Sequence, residues 1–177
     1  DLSSPADSTV STNLTPILNW SNTSDANFAN FSVGLSMSSS FSYANYTFNT
    51  TNTSYYLGTD LSTDTTWYWR VTARDKVFNT RVSSSAFKYI TDTTNVSIVN
   101  ESYQPALVYS SSAVQLNATV IDTNLNTVWV MSNETGSWSN TTVSTSVDNV
   151  YYTTIAASEL SNQEIVGFKF FANDSAD

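Results

Sequence analysis

Along most of the chain apolar and polar residues alternate, and almost nowhere do apolar residues recur at spacings of three and four for more than two turns. Successive strand side chains point to opposite faces, so this pattern predicts an all-β protein. The clearest case is TTWYWRVTARD, where Trp67, Trp69, Val71 and Ala73 share one face and Tyr68, Arg70, Thr72 and Arg74 share the other. One face packs on a core; the other meets solvent. Comparable strands are expected in TPILNW, NFSVGLSMS, SYYLG and AFKYI, with NYTFN as an outer strand leading to a turn. The second half repeats the rhythm in NVSIVN, AVQLNATVID, TVWVMSN, NVYYTTIAA and EIVGFKFFANDSA. There Val114, Leu116, Ala118 and Val120, and then Val166, Phe168, Phe170 and Ala172, are expected inward. A chain of 177 residues suffices for two domains of roughly 90 residues each. The expected organisation is 1–91, a linker at 92–94, and 95–177.

Residues 1–91 resemble a fibronectin type III domain of the kind common in prokaryotic surface proteins. The resemblance is carried by SPADSTVST, by TPILNW with Trp20 as the B-strand tryptophan, by strands C, E and G in NFSVGLSMS, SYYLG and AFKYI, and by Leu61 leading into WYWRVTARD. The family places a tyrosine six residues after that leucine, and its hydroxyl bonds back to the chain. Here the position is Trp67, which puts that hydrogen bond in question and leaves packing as its role. Residues 95–177, with VWVMSNETGSWSNTT, resemble immunoglobulin-like domains of archaeal surface proteins. The fold implied is two tandem immunoglobulin-like or fibronectin type III-like β-sandwiches. Such a sandwich ends on a strand G, yet Asp177 comes only a few residues after the expected strand F, so the second domain lacks its own last strand in this reading. Three explanations stay open: the strand count is off, the sequence is truncated, or another molecule supplies the strand. The third implies β-augmentation and, with head-to-tail contacts, a filament.

Charge and composition narrow the function. Charged residues make up 12%, about half the usual share, and the formal charge is −9. The six basic residues, Arg70, Arg74, Lys76, Arg81, Lys88 and Lys169, are scattered along the sequence, so nucleic acid and anionic membranes are poor partners. No apolar run is long enough for membrane insertion, and the chain reads as a mature product or an excised fragment whose export signal lies outside it. Cys and His are absent, which removes thiol nucleophiles, imidazole bases, the usual zinc ligands and disulfides.

For catalysis there remain the carboxylate pairs Asp60 with Asp64 and Asp174 with Asp177, each in an expected turn where Asp caps backbone amides. Without a phosphate loop or nucleophile elbow, no catalytic residue and no enzyme activity are expected. Asp92, Asp122 with Asn124, and Asp148 are the candidate oxygen ligands for calcium. No spacing among them matches a loop motif, so no metal or other cofactor is expected. Tyr55, Tyr56, Tyr68, Trp138, Tyr151 and Tyr152 offer either a sugar-stacking platform or cross-strand packing, of which packing is the simpler reading.

The strongest signal is the N-x-S/T sequon. Thirteen asparagines stand in one: Asn13, Asn19, Asn22, Asn30, Asn45, Asn49, Asn52, Asn95, Asn100, Asn117, Asn133, Asn140 and Asn173. Composition alone predicts roughly six. Asn19, Asn30 and Asn117 neighbour inward residues and are expected to point outward. Asn13, Asn22, Asn49, Asn52, Asn133 and Asn140 are expected in turns or strand ends. Covalent N-linked glycans would keep a weakly charged, aromatic-rich chain soluble, and Asn49 and Asn52 are close enough for partial occupancy. The expectation is a heavily N-glycosylated extracellular structural protein, a segment or subunit of an archaeal filament, stalk or surface layer that self-associates. The alternative is a carbohydrate-binding or adhesion module of a larger secreted protein.

Overall fold

The computed structural model describes residues 1–106, 111–160 and 165–176. The chain divides into two compact units, Asp1–Thr93 and Thr94–Ser175. The strands of the first are β1 (Leu2–Ser4), β2 (Thr9–Ser11), β3 (Ile17–Trp20), β4 (Phe28–Ser36), β5 (Tyr46–Thr50), β6 (Ser54–Tyr56), β7 (Thr65–Asp75), β8 (Thr80–Val82) and β9 (Phe87–Thr91). One sheet has the order β1-β3-β6; the other runs β2-β9-β7-β4-β5, with β8 added beside β7. Their inner faces enclose Leu18, Trp20, Phe31, Val33, Leu35, Trp67, Trp69, Val71 and Tyr89.

Period-two alternation explains why these residues meet. In β7 the buried positions are Trp67, Trp69 and Val71, and their registered partners Leu35, Val33 and Tyr89 lie on the same inner face. Trp67 is buried at 1% exposure, but its indole Nε1 has no partner, so it makes no corner hydrogen bond. The comparable tether comes from β9, where the Tyr89 hydroxyl donates to the Asn13 carbonyl at 2.6 Å. Burial raises the Tyr89 pKa above its ordinary value.

The second unit contains β10 (Ser97–Gln104), β11 (Val114–Ile121), β12 (Leu125–Ser132), β13 (Ser139–Thr142), β14 (Ser146–Val147), β15 (Val150–Ile155) and β16 (Phe168–Asp174). Its sheets run β10-β11-β15-β14 and β13-β12-β16. Val114, Leu116, Ala118, Val120, Val128, Val130, Val143, Ile155 and Phe170 form its core. Both units are therefore immunoglobulin-like, fibronectin type III-like β-sandwiches. Strands β8, β13 and β14 are short and mostly polar, so no hydrophobic alternation announces them. The final strand begins at Phe168, later than EIVG suggests; Val166 still packs on the core from outside the strand, and Glu164 lies outside the described residues.

The two sandwiches differ at strand F. In the first, β7 is flanked by β4 on one edge and on the other by β9 along Thr65–Trp69 and β8 along Thr72–Arg74. In the second, β16 pairs with β12, and among the described residues no strand forms a ladder with its opposite edge, although β10 lies near it. A side chain takes part of that place. The register of β10 shifts between Val99 and Ser102, with Asn100 at φ 55°, and Glu101 accepts the Phe170 N–H at 2.6 Å. A bulge of this kind re-aims one side chain out of its ladder, and a carboxylate stands where a neighbouring strand would offer a carbonyl.

Candidate glycan-acceptor surface

None of the thirteen sequon asparagines falls among the buried residues. Asn13, Asn22, Asn45, Asn49, Asn52, Asn95, Asn100 and Asn140 are exposed, while Asn19, Asn30, Asn117, Asn133 and Asn173 are half-buried. The strand positions follow from alternation: Asn19 lies between buried Leu18 and Trp20, and Asn117 between buried Leu116 and Ala118. Asn49 and Asn140 each lie one residue from an end of β5 and β13. Asn49 remains outward because Phe48 beside it packs on the core.

Strand pairing adds an order that the linear sequence hides. Asn49 is registered opposite Ser32, the hydroxyl residue of the Asn30 sequon. Asn19 faces Ser54 of the Asn52 sequon, and Asn117 faces Ser102 of the Asn100 sequon. Three sequons thus sit beside three others. Asn30 and Asn49 are diagonal neighbours on adjacent strands, about 7–8 Å apart, whereas Asn52 precedes β6 and Asn100 lies in the β10 bulge. Only the register reveals this.

The asparagines also differ in what their amides already do. Asn133 accepts the Gly167 N–H at 2.6 Å and donates Nδ2 to the Ile165 carbonyl at 3.3 Å, fastening the entry to β16. Asn117 donates Nδ2 to the Ser102 carbonyl at 3.2 Å, and the Asn173 Oδ1 is buried without a partner. With Asn19, whose Nδ2 donates to the Ile17 carbonyl at 3.5 Å, these are the poorer candidate acceptors, because the attachment nitrogen or its amide is engaged or enclosed. Asn45 uses only its Oδ1, which takes the Met37 N–H at 3.0 Å, and Asn13 uses Oδ1 in an Asx turn to Thr15.

The remaining candidates resolve into structure. Asp148 and Asn149, at φ 48° and 65°, are the two turn residues between β14 and β15, as a type I′ hairpin requires. Asp64, at φ 49°, accepts the Thr93 N–H at 2.9 Å, while Asp60 is exposed and Asp177 lies outside the described residues. Asp122 accepts the Asn124 N–H at 2.7 Å, and carboxylate oxygens of Asp122 and Asp174 approach within 4.8 Å in the second unit. The Asp92 N–H donates to the Ser11 carbonyl at 3.0 Å. Of the aromatics, Tyr55 stacks on Phe48 and Tyr151 packs on the second core. Tyr56 in the first unit and Trp138 in the second stay 61% and 57% exposed.

The basic residues are less dispersed in space than in sequence. Arg70 and Arg74 share the outer face of β7, and Lys88 joins them opposite Tyr68. Arg70 stacks over the Phe41 ring at 4.2 Å and Arg74 over the Phe78 ring at 4.3 Å. No helix among the described residues is long and apolar enough to cross a membrane.

No protein-family model matches the chain, and no curated protein sequence matches it. Among solved structures, the FN1–FN3 domains of chicken CNTN1 align with 100% of this chain and 59% of their own at 16% identity and a TM-score of 0.42. An alpha-L-rhamnosidase from Dictyoglumus thermophilum aligns with 75% of this chain and 18% of its own at 14% identity and a TM-score of 0.42. A 1.5-MDa bacterial ice-binding adhesin aligns with 92% and 58% at 14% identity and a TM-score of 0.34. The chain thus spans under two thirds of each of these structures. At such scores the fold is read from the sheet topology itself.

Proposed function

We propose that the chain is a non-enzymatic, heavily N-glycosylated segment or subunit of an archaeal extracellular filament, stalk or surface layer. Sandwiches in series bear load, glycans coat their outer faces, and neighbouring copies join by adding a strand to β16. The observation that carries this reading is the edge of β16, which among the described residues pairs with no strand opposite β12. Unpaired edge amides and carbonyls are a ready template for another strand. The sequon excess and the absence of cysteine support an archaeal cell surface.

Electron microscopy of material from the native source tests the assembly. Regular filaments or arrays, with density for an added strand beside β16, are expected. Dispersed monomers that bind glycans would favour the adhesion or carbohydrate-binding alternative. Intact mass tests the coat separately: several kilodaltons above the 19.4 kDa polypeptide is expected, and the bare mass would refute glycosylation.

A further inference from the structure

One cavity in the first unit ties a sequon to a buried aromatic. It has a volume of about 350 Å³ and is lined by Trp20, Phe31 and Val71 from the core, and by Arg81, Ser84 and Thr23. Asn22 lies in the same lining. The reason is local. Residues 21–24 leave β3 along the rim of the cavity, with the Ser21 N–H donating to the Asp1 carbonyl at 2.8 Å.

Trp20 is 5% exposed, and its indole N–H has no acceptor. That nitrogen is closed to solvent, as are those of Trp67 and Trp69, so the cavity meets the Trp20 ring and not its N–H. The Asn22 Oδ1 takes the Thr23 N–H at 2.9 Å, and Asn22 itself is exposed. Its Nδ2 is therefore placed to carry a substituent at the cavity mouth.

From this arrangement we infer that the protein-proximal pyranose of an N-linked glycan on Asn22 folds back into the cavity. Ring hydroxyls accept from the Arg81 guanidinium, and the ring covers the narrow floor of Trp20, Phe31 and Val71, which are 5%, 2% and 5% exposed. The volume is at the small end of the roughly 300–1,000 Å³ of small-molecule pockets, which suits about one or two sugar rings. The attachment makes binding intramolecular, so a weak site is filled by an effective concentration in the millimolar range. The inference rests on the reading that the sequons carry glycans, and it separates Asn22 from the others: its sugar is part of the fold.

The test uses full-length protein from a glycosylating host of the native type. Asn22→Gln and Ser24→Ala both abolish the sequon, and Thr47→Ala, at an exposed position, removes the glycan of Asn45 as the control while leaving the Asn45 bond to Met37 in place. Glycopeptide mass spectrometry gives occupancy, and melting and indole N–H exchange give the structural effect. Both Asn22-sequon variants are expected to lower Tm of the first unit by about 4 °C and to speed Trp20 indole exchange at least tenfold, with Thr47→Ala neutral. An unmodified Asn22 overturns the inference, and all thirteen sites unmodified would overturn the glycoprotein reading with it. An occupied Asn22 whose loss matches that of Asn45 overturns the inference alone, because the sugar then projects into solvent. Deglycosylated protein is also titrated with the methyl glycoside of the attached sugar. Millimolar binding supports the tethered sugar; no binding at tens of millimolar overturns it, and so does micromolar binding, which makes the cavity a receptor for free sugar.

Discussion

Strands β7 and β16 hold the same place in their two sandwiches, yet among the described residues β7 is paired on both edges and β16 on one. Their cores differ in the same sense. The first holds Trp20, Trp67, Trp69, Phe31 and Tyr89, whereas Phe170 is the single aromatic among the fully packed described residues of the second. Each large aromatic removes about 150–250 Å² from water, so the first unit has the larger apolar reserve. Charge follows the division too: residues 1–93 carry seven carboxylates and five basic residues, while residues 94–177 carry eight and one. Among the described residues the aromatic-rich sandwich pairs its strand F on both edges and the more acidic, aliphatic one on a single edge, so the unit with the smaller apolar reserve is the one that an added strand would help more.

The comparison breaks first at the cores. Trp69→Ala and Phe170→Ala should each cost about 3–5 kcal/mol in their own unit, and hydrogen exchange resolves which unit loses protection. Equal loss in both units from either change would show that the cores are not separate.

At the open edge, Asn133→Ala should destabilise the unglycosylated second unit by about 1–3 kcal/mol, because it strands the Gly167 N–H. Asn140→Gln should stay within about 0.5 kcal/mol, since exposed Asn140 makes no such bond. Urea melts of the two variants compare them, and equal effects would remove the distinction drawn between the two acceptors.

Glu101→Ala should cost about 1 kcal/mol through the lost Phe170 contact while making β16 a better acceptor of added strands. Faster association measured by light scattering is expected; slower association would mean that Glu101 assists assembly. On the closed side, Tyr89→Phe should cost about 1 kcal/mol by removing the hydroxyl bond to the Asn13 carbonyl, read from a urea melt, with no effect on association.

The smallest effect concerns Asp75 at the β7–β8 turn. The Asn79 side chain, which donates to Oδ2 at 2.8 Å, holds its carboxyl below the ordinary 3.8, helped by the Val77 and Asn79 amides. A depressed carboxylate pKa contributes stability that is present above the unfolded pKa and disappears as pH falls through the folded one. Asn79→Ala should therefore lower Tm at neutral pH and converge with the parent below that range. A difference that persists in strong acid would assign the effect to packing.

Alternation along NFSVGLSMS, WYWRVTARD and AVQLNATVID was enough to name the buried faces, because the period of a strand fixes which residues face a core once any sheet forms. The excess of sequons was likewise a property of the linear chain. Strands β8, β13 and β14 were not legible, since short polar segments become strands only when a neighbour offers its hydrogen bonds. Register alone brought Asn49 beside Ser32 and Asn117 beside Ser102, and the meeting of two sheets alone put Asn22 on a cavity floored by Trp20. Sequence by itself thus determined the fold class, the inward faces and the supply of acceptor asparagines, all set by local periodicity and residue chemistry. Tertiary structure decided which acceptors are free, which are already hydrogen-bonded, and which edge is left open, because those depend on contacts between residues far apart in the chain.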